Sequence, residues 1–328
     1  MEKPKYLISL PFFGDCITLM GRVKRIGIAF GGGAARGIAH IGALRALRNR
    51  PQYLPSIAAG TSAGSIVAAL YAAGLKQEKL EELARGFDWF HHVISLSDTV
   101  RRVIDERQGG LVSNAKLGNM MNELLEGRSF DDLEIDLAVV ATDLENRRRV
   151  IFTSRRVEKR LIQKELTQFL PEPTDSLPGC ATLVISDCKD IGMAVRASCA
   201  VPGVFMPVRI RGMRMLDGGL VDQVPVDVVR AMGANVTIGI SLALTFIPQK
   251  FKSTPSVLSG MVGVLGVQQL RKSLDRADIG FQIQDIDRRS LIDTRQLDLL
   301  GIGERNMNEW LDGWESGKLS RSKLRLFD

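Results

Sequence analysis

A serine flanked by two glycines constrains this chain more than any other feature. Gly60-Thr61-Ser62-Ala63-Gly64 matches the pattern G-x-S-x-G, and it lies between an apolar predicted strand and a helix predicted over residues 65–73. Such a strand–turn–helix is sharply bent, and larger side chains two places either side of the serine would collide with neighbouring backbone. The stretch from Ser56 to Ala73 therefore predicts a nucleophile elbow with Ser62 at its tip. The alternative is a glycine turn that a serine merely caps.

The predicted helix after Ser62 gives the turn a second chemical property. The Ala63 amide and the positive end of the helix dipole would face negative charge that develops on a group attacked by the serine hydroxyl. Ala63 is therefore a candidate oxyanion-hole residue.

A second glycine-rich loop precedes the elbow. Residues 26–30 predict a buried strand, Gly31 to Gly37 a loop, and the residues that follow a helix. A dinucleotide site needs a glycine where Arg36 stands and an acidic residue about 20 positions later, but no Asp or Glu occurs between Cys16 and Gln77. A phosphate-binding P-loop needs Lys-Ser/Thr after the last glycine, where this chain has Ile-Ala.

What remains for this loop is a cradle of backbone amides at a helix N-terminus, which suits an anion or an oxyanion. The alternative is a turn whose glycines only let helix and sheet pack closely.

Size and composition favour one large α/β domain. The chain has 328 residues, of which 45% are hydrophobic, enough for a large core. We expect a leader of uncertain structure over residues 1–23 and a single domain over 24–328, with helices and a last strand in 245–328. The four cysteines (Cys16, Cys180, Cys188 and Cys199) lack metal-ligand spacing, which favours reduced thiols and a cytoplasmic location.

The remaining elements are predicted from apolar runs and their periodicity. Strands are expected over residues 135–142, 181–185, 208–213, 235–242 and 281–286, and helices over 76–87, 113–126, 226–232, 256–274 and 302–314. The proline-containing residues 197–208 predict a loop at the wall of the site.

The serine needs a base, and the positions of the histidines exclude the usual order of serine, acid and histidine. His40, His91 and His92 all lie in the first third of the chain. A carboxylate could instead take the serine proton directly, best when partly desolvated. Asp217, followed by two glycines, is the strongest candidate, ahead of Asp143 and Asp222. Alternatively, Asp217 only stabilises a turn.

Positive charge is concentrated in Arg147 to Lys164, where eight Lys or Arg accompany an approximately helical apolar stripe that begins at Val157. We expect this basic stretch to contact an anionic membrane surface, with an ordinary solvated helix face as the alternative. Aromatic residues are not interleaved with the basic ones, which argues against nucleic-acid binding.

Four of these motifs, in this order and spacing, resemble the patatin-like phospholipase family, particularly its small bacterial members. They are the glycine loop with Arg36-Gly37, the elbow around Ser62, the run from Ala197 to Val208, and Asp217-Gly218-Gly219. The resemblance covers about residues 24–240.

This resemblance implies a lipid acyl hydrolase with Ser62 as nucleophile and Asp217 as base. The amides of Gly32, Gly33 and Ala34 would be oxyanion donors, and Arg36 is a candidate anion-binding residue. Two features depart from the family pattern: Ala34 stands where the loop commonly has glycine, and residues 157–189 form a longer connection than usual.

We therefore expect a three-layer α/β sandwich with a mainly parallel central sheet and helices on both faces. We expect a Ser-Asp dyad that cleaves acyl esters of lipids through an acyl-serine intermediate, without metal or cofactor. The alternatives are an acyltransferase that uses the same intermediate and a non-catalytic protein that binds acyl chains. The location expected is cytoplasmic, with peripheral membrane association; the sequence leaves the oligomeric state open.

Overall fold

The structure, a computed structural model, describes residues 25–86, 112–157, 182–242, 272–283 and 298–317, together with residues 260, 261, 264 and 270. The predicted leader, His91, His92 and the part of the basic stretch after Val157 lie outside the described residues.

The strands of the described residues form one sheet. They are β1 (Ile26–Phe30), β2 (Ile57–Thr61), β3 (Asp136–Asp143), β4 (Arg148–Thr153), β5 (Thr182–Ile185), β6 (Val208–Ile210), β7 (Met213–Asp217), β8 (Val236–Ser241) and β9 (Ile279–Gln282). The order in the sheet is β5-β4-β3-β2-β1-β8-β9. Pairing is parallel except between β3 and β4 and in the β6–β7 hairpin, whose second strand runs antiparallel to the end of β3.

Helices cover both faces of this sheet. They are α1 (Ile38–Arg48), α2 (Ala63–Ala72), α3 (Gln77–Gly86), α4 (Ala115–Leu124), α5 (Ile191–Ser198), α6 (Val226–Ala231) and α7 (Leu299–Glu315). Alternate strand residues point to opposite faces. Phe30 of β1 joins the core that contains α1, α2, α4, α5 and α7, whereas the adjacent Ala29 joins the core that contains α6. The predicted three-layer, mainly parallel α/β fold is confirmed.

Most predicted elements in the described residues are confirmed to within a few residues. The predicted last strand begins two residues earlier than expected, at Ile279, and pairs with β8. The predicted terminal helix is α7, which packs against α1.

Three features differ from the sequence prediction. Arg148–Thr153 is a strand that was not predicted, and it pairs with β3 on one side and β5 on the other. The strand predicted over 208–213 is a hairpin that turns at Arg211-Gly212, both with φ near the left-handed region (51° and 78°). Helix α5 was not predicted, and it carries Ser198 at its end.

Candidate active site

The turn at Ser62 has the geometry that its glycines imply. β2 ends at Thr61, α2 begins at Ala63, and Ser62 between them has φ 52° and ψ −127°. A Cβ on Gly60 would lie 2.3 Å from the Gly64 oxygen, and one on Gly64 would lie 2.2 Å from the Phe30 oxygen. Both positions therefore exclude any side chain, and the predicted strand–turn–helix is confirmed.

Strand register brings Asp217 to this turn. β2 pairs with β3 as far as Thr61 and Val140, and there the chain leaves the sheet to begin α2. β7 enters from the opposite direction and pairs with the next residue of β3, Ala141, through Asp217. The last residue of β7 therefore occupies the position in the sheet that β2 vacates at Ser62.

The backbone of Asp217 is fixed on both sides. Its amide donates to the Ala200 carbonyl at 2.9 Å, and its carbonyl accepts from the Thr142 hydroxyl at 2.8 Å. These two hydrogen bonds fix the position of Asp217 at the end of β7, so its side chain is not carried by a mobile turn.

The Asp217 carboxylate is buried, at 3% exposure for the residue. Oδ1 accepts a hydrogen bond from the Gly219 amide at 2.8 Å, and Oδ2 makes no hydrogen bond of ordinary geometry among the described residues. Burial raises the pKa of Asp217 to about 6, although the nearby Ser62 hydroxyl and the Gly219 amide lower it in part. The Ser62 hydroxyl is therefore near the Asp217 carboxylate.

The Ser198 hydroxyl links the elbow to strand β3 by two hydrogen bonds. The Ser62 amide donates to Ser198 Oγ at 2.8 Å, and Ser198 Oγ donates to the Val140 carbonyl at 2.6 Å. The sequence motif contained Ser198 but did not indicate this role. The neighbouring Cys199 is buried, which raises the pKa of its thiol and keeps it protonated.

The glycine loop lies against the nucleophile. A Cβ on Gly32 would be 3.3 Å from Ser62 Cβ, and the Gly32 amide donates to the Gln223 carbonyl at 3.2 Å. The Gly32 amide is thus already bonded within the protein, and its role as an oxyanion donor stays a prediction. The amides of Gly33, Ala34 and Ala63 donate no hydrogen bond within the described residues, so they are the ones available to an oxyanion.

The Arg36 side chain is buried against the glycine loop and does not extend into solvent. It is 6% exposed, its Nε donates to the Gly33 carbonyl at 3.1 Å, and its Nη1 has no hydrogen-bond partner in the described part of the chain. Burial lowers its pKa to about 10, which leaves it charged at neutral pH. Arg36 therefore braces the loop, and its binding of an anion stays a prediction.

The two other candidate bases are occupied by arginines. Asp143 accepts from Arg148 Nε at 2.9 Å and from Asn146 Nδ2 at 2.7 Å; although burial opposes them, these bonds lower its pKa. Asp222 accepts from Arg149 Nη1 at 2.6 Å. Asp143 and Asp222 each form an ion pair with an arginine. Of the three candidate bases, Asp217 is thus the one that has no arginine partner among the described residues.

His40 also has a structural place. It is fully buried, its Nε2 lies 2.9 Å from the Gly31 carbonyl, and its ring meets Phe30 edge-on. Burial lowers its pKa to about 4, so it is neutral at neutral pH. No sequence pattern indicated this contact with the glycine loop.

The basic stretch is not a single surface. Arg149 is buried and paired with Asp222 and Asp227, because β4 places it inside the fold. Since β4 runs antiparallel to β3, the chain beyond it emerges at the opposite edge of the sheet from Ser62; there Arg156 pairs with Asp136, the first residue of β3. Arg147 and Arg148, by contrast, lie beside Asp143 at the same edge as Ser62, and the expected contact of the basic stretch with a membrane stays a prediction.

None of the helices in the described part of the chain combines the length and the apolar character needed to cross a bilayer. Across the same residues, no three potential metal-binding side chains come together.

Comparison with known proteins identifies one family. The sequence model of the family described as patatin-like phospholipase matches residues 28–230. An uncharacterized NTE family protein of Mycobacterium tuberculosis is 30% identical over 221 residues, 66% of this chain and 49% of that protein. Lysophospholipase NTE1 of Phaeosphaeria nodorum is 27% identical over 243 residues, 74% of this chain and 14% of that protein. The chain thus spans about half the length of the mycobacterial relative.

Among solved structures, the chain is similar to VipD from Legionella pneumophila. The TM-score is 0.47 at 16% sequence identity, and the similarity covers 89% of this chain and 67% of the other.

Proposed function

Because the chain belongs to the patatin-like phospholipase family, we propose that it is a serine hydrolase that cleaves acyl esters of phospholipids or related lipids. Ser62 is the nucleophile and Asp217 the base of its dyad. The observation that supports this most is the register of β7, which ends at Asp217 where β2 ends before Ser62. A buried carboxylate without a cation thereby lies beside a serine in an elbow.

The proposed reaction needs one proton acceptor and one set of amide donors. Ser62 Oγ attacks the ester carbonyl carbon while its proton passes to Asp217 Oδ2, the oxygen without an ordinary hydrogen bond. The amides of Gly33, Ala34 and Ala63 stabilise the oxyanion, a contribution of about 3 to 4 kcal/mol per donor in other serine hydrolases. Collapse of the tetrahedral intermediate breaks the ester bond, and the alcohol leaves with the proton from Asp217.

The acyl-Ser62 ester is then hydrolysed by the reverse use of the same groups. Asp217 takes a proton from water, the hydroxide attacks the acyl carbon, and Ser62 Oγ leaves and regains the proton. The raised pKa of Asp217, about 6, makes it a stronger base than an exposed aspartate and still leaves it ionised at neutral pH.

An acyltransferase is the second candidate, since only the acceptor of the acyl group differs. A non-catalytic acyl-binding protein is less well supported, because both Ser62 and Asp217 are present and adjacent by register.

We place the proposed enzyme in the cytoplasm, in peripheral contact with lipid. The described cysteines, Cys188 and Cys199, are free thiols, which supports a reducing compartment. The lipid-facing side would be the sheet edge at Ser62, where Arg147 and Arg148 also lie, whereas Arg156 pairs with Asp136 at the other edge.

The test is labelling with a fluorophosphonate probe, followed by mapping of the adduct and assay of a panel of phospholipids and lysophospholipids. We expect the adduct on Ser62 and none in Ser62→Ala. Equal labelling of wild type and Ser62→Ala would exclude Ser62 as nucleophile. Free fatty acid as product supports the hydrolase, whereas a newly acylated lysophospholipid supports the transferase.

A further inference from the structure

An apolar cavity of about 70 Å³, partly open to solvent, lies among α1, α2, α3 and α4. Its wall includes Ala34 and Ala63, whose amides are proposed oxyanion donors. Every residue that lines it is aliphatic, glycine or methionine. No charged or polar side chain of the described residues faces it, so it offers nothing to a head group, a nucleotide or a metal.

The cavity extends away from the nucleophile along one face of α2. Ala63, Ile66, Val67 and Leu70 all line it, and their spacing of three, four and seven residues places them on one side of a helix. With a rise of 1.5 Å per residue, Leu70 lies about 10 Å beyond Ala63 along the helix axis.

Leu124 lies at the same far end as Leu70. Arg128, which follows α4, donates from Nη1 to the carbonyl of Ala73 at the end of α2, at 2.9 Å. The C-terminal ends of α2 and α4 are therefore joined, and the cavity residue on the last turn of α4, Leu124, is level with the last turn of α2.

We propose that this cavity binds the acyl chain of the substrate and that Leu70 and Leu124 limit the length of chain it accepts. This inference rests on the proposed function, because it takes the acyl carbon to be the one that Ser62 attacks. The chain enters between Ala34 and Ala63 and runs along α2, while the alcohol part of the ester stays outside. A length of about 10 Å suits an octanoyl chain better than a palmitoyl chain.

The experiment compares kcat/KM for p-nitrophenyl butyrate and p-nitrophenyl octanoate. In wild type the octanoate should be favoured about 250-fold, since each of its four additional buried methylenes contributes about fourfold. Leu124→Trp fills the far end, and the octanoate-to-butyrate ratio should fall about tenfold or more. Leu124→Ala enlarges the same end and should shift the preferred chain from octanoate towards dodecanoate.

Glu123→Trp is the matched control. It places a tryptophan on the same helix at the adjacent position, which is exposed. The octanoate-to-butyrate ratio of kcat/KM should therefore stay at the wild-type value. An unchanged ratio in both Leu124→Trp and Leu124→Ala would overturn the assignment of the cavity.

A binding measurement separates this inference from the proposed function. Octanoate should bind to Ser62→Ala protein in a calorimetric titration, and Leu124→Trp in that background should weaken binding about tenfold. Undiminished hydrolysis of p-nitrophenyl butyrate by Ser62→Ala would overturn the proposed dyad. The binding measurement would then test by itself whether the cavity holds the acyl chain. Octanoate binding that is equal with and without Leu124→Trp would overturn the cavity assignment alone.

Discussion

The backbone amide of Ser62 donates a hydrogen bond to the hydroxyl of Ser198, 136 residues further along the chain, at 2.8 Å. The same hydroxyl donates to the Val140 carbonyl at 2.6 Å. One side chain thus joins the strained elbow to the neighbouring strand of the sheet. Since Ser62 has a positive φ, which is unfavourable for a residue with a Cβ, this bond helps to hold the nucleophile in a conformation that it would otherwise leave.

We expect Ser198→Ala to lower kcat by about 10², because a displacement of about 1 Å in the nucleophile is enough for such a loss. KM should change little, since Ser198 does not line the proposed acyl cavity. The measurement is kcat and KM on p-nitrophenyl butyrate, with circular dichroism to verify folding. A rise in KM at unchanged kcat would contradict a role in positioning the nucleophile.

Ser154→Ala is a suitable control for that experiment. Ser154 is also fully buried, but its hydroxyl has no hydrogen-bond partner in the described residues, and it follows β4 at the edge of the sheet away from Ser62. Its removal should leave kcat within about twofold and stability equal or slightly higher, because an unsatisfied buried hydroxyl is itself destabilising.

Catalysis should depend on ionisation of Asp217. Only the ionised carboxylate accepts the Ser62 proton, so kcat/KM on a neutral, soluble ester should rise with pH through a midpoint near the raised pKa of Asp217, about 6. Asp217→Asn should lower turnover by at least about 10², since the amide cannot take a proton. A flat profile between pH 5 and pH 8, or turnover of Asp217→Asn within a few-fold of wild type, would contradict the assignment.

The same substitution should make the protein more stable at neutral pH. Burial raises the folded-state pKa of Asp217 from 3.8 to about 6, so folding is penalised when the group is ionised. This penalty is absent below about pH 4, grows between pH 4 and 6, and is constant above. It is on the order of 3 kcal/mol at most, and Asp217→Asn should remove it.

The measurement is the free energy of unfolding of Asp217→Asn and wild type in urea at pH 4 and at pH 7.5. Asp143→Asn is the matched control, because Asp143 is also buried but its pKa is lowered by Asn146 and Arg148. It should destabilise at pH 7.5. A stability difference between Asp217→Asn and wild type that is equal at both pH values would refute the linkage.

Ala34 carries strain in the glycine loop. Its φ of 51° lies in the left-handed region, where a Cβ costs about 1 kcal/mol. Ala34→Gly should therefore stabilise the protein by up to about 1 kcal/mol, less the greater freedom of glycine in the unfolded chain. Ala35→Gly, one residue on and not at a positive φ, should instead destabilise by about 0.5 to 1 kcal/mol. Equal effects of the two substitutions in urea unfolding would contradict this explanation.

The features that could be predicted from sequence are those whose physical cause is local. Gly60, Ser62 and Gly64 lie within five residues, and the steric reason for the two glycines acts between neighbouring turns of the same chain. The order of strands and helices also follows from apolar runs of local origin. The fold class and the elbow were therefore predictable without any knowledge of distant contacts.

Features that depend on distant partners were predicted less well. Arg149 belongs to a run of positive charge, and only its partners Asp222 and Asp227, 73 and 78 residues away, show that it is a core residue. Similarly, the carbonyl of Gln223 binds the Gly32 amide from a distance of 191 residues in sequence. The number and spacing of charges or glycines along the chain do not predict these contacts, because the partners come together only when the sheet forms.

Arg149 therefore provides a test of how the fold supports the site. Its Nη1 donates to Asp222 at 2.6 Å and to Asp227 at 3.0 Å, and the Asp222 carbonyl accepts from the hydroxyl of Thr61, the residue before Ser62. Arg149→Leu leaves two buried carboxylates without a cation. We expect a loss of about 3 to 5 kcal/mol in the free energy of unfolding at pH 7.5.

The pH dependence and two further variants make the Arg149→Leu experiment decisive. Burial and the nearby Asp227 already raise the pKa of Asp222. Without the cation this pKa rises further above that of the unfolded chain, so the loss should be present at neutral pH and diminish as the pH falls towards 4. Asp222→Asn and Asp227→Asn added to Arg149→Leu should restore most of the stability, because no buried charge remains.

Arg155→Leu removes an exposed arginine, 3.7 Å from Asp131, and should change stability by less than about 1 kcal/mol. If Arg149→Leu were no more destabilising than Arg155→Leu, the buried ion pairs would not support the loop between Asp217 and α6. The position of Asp217 would then depend on the strand pairing of β7 and on its hydrogen bonds with Ala200 and Thr142.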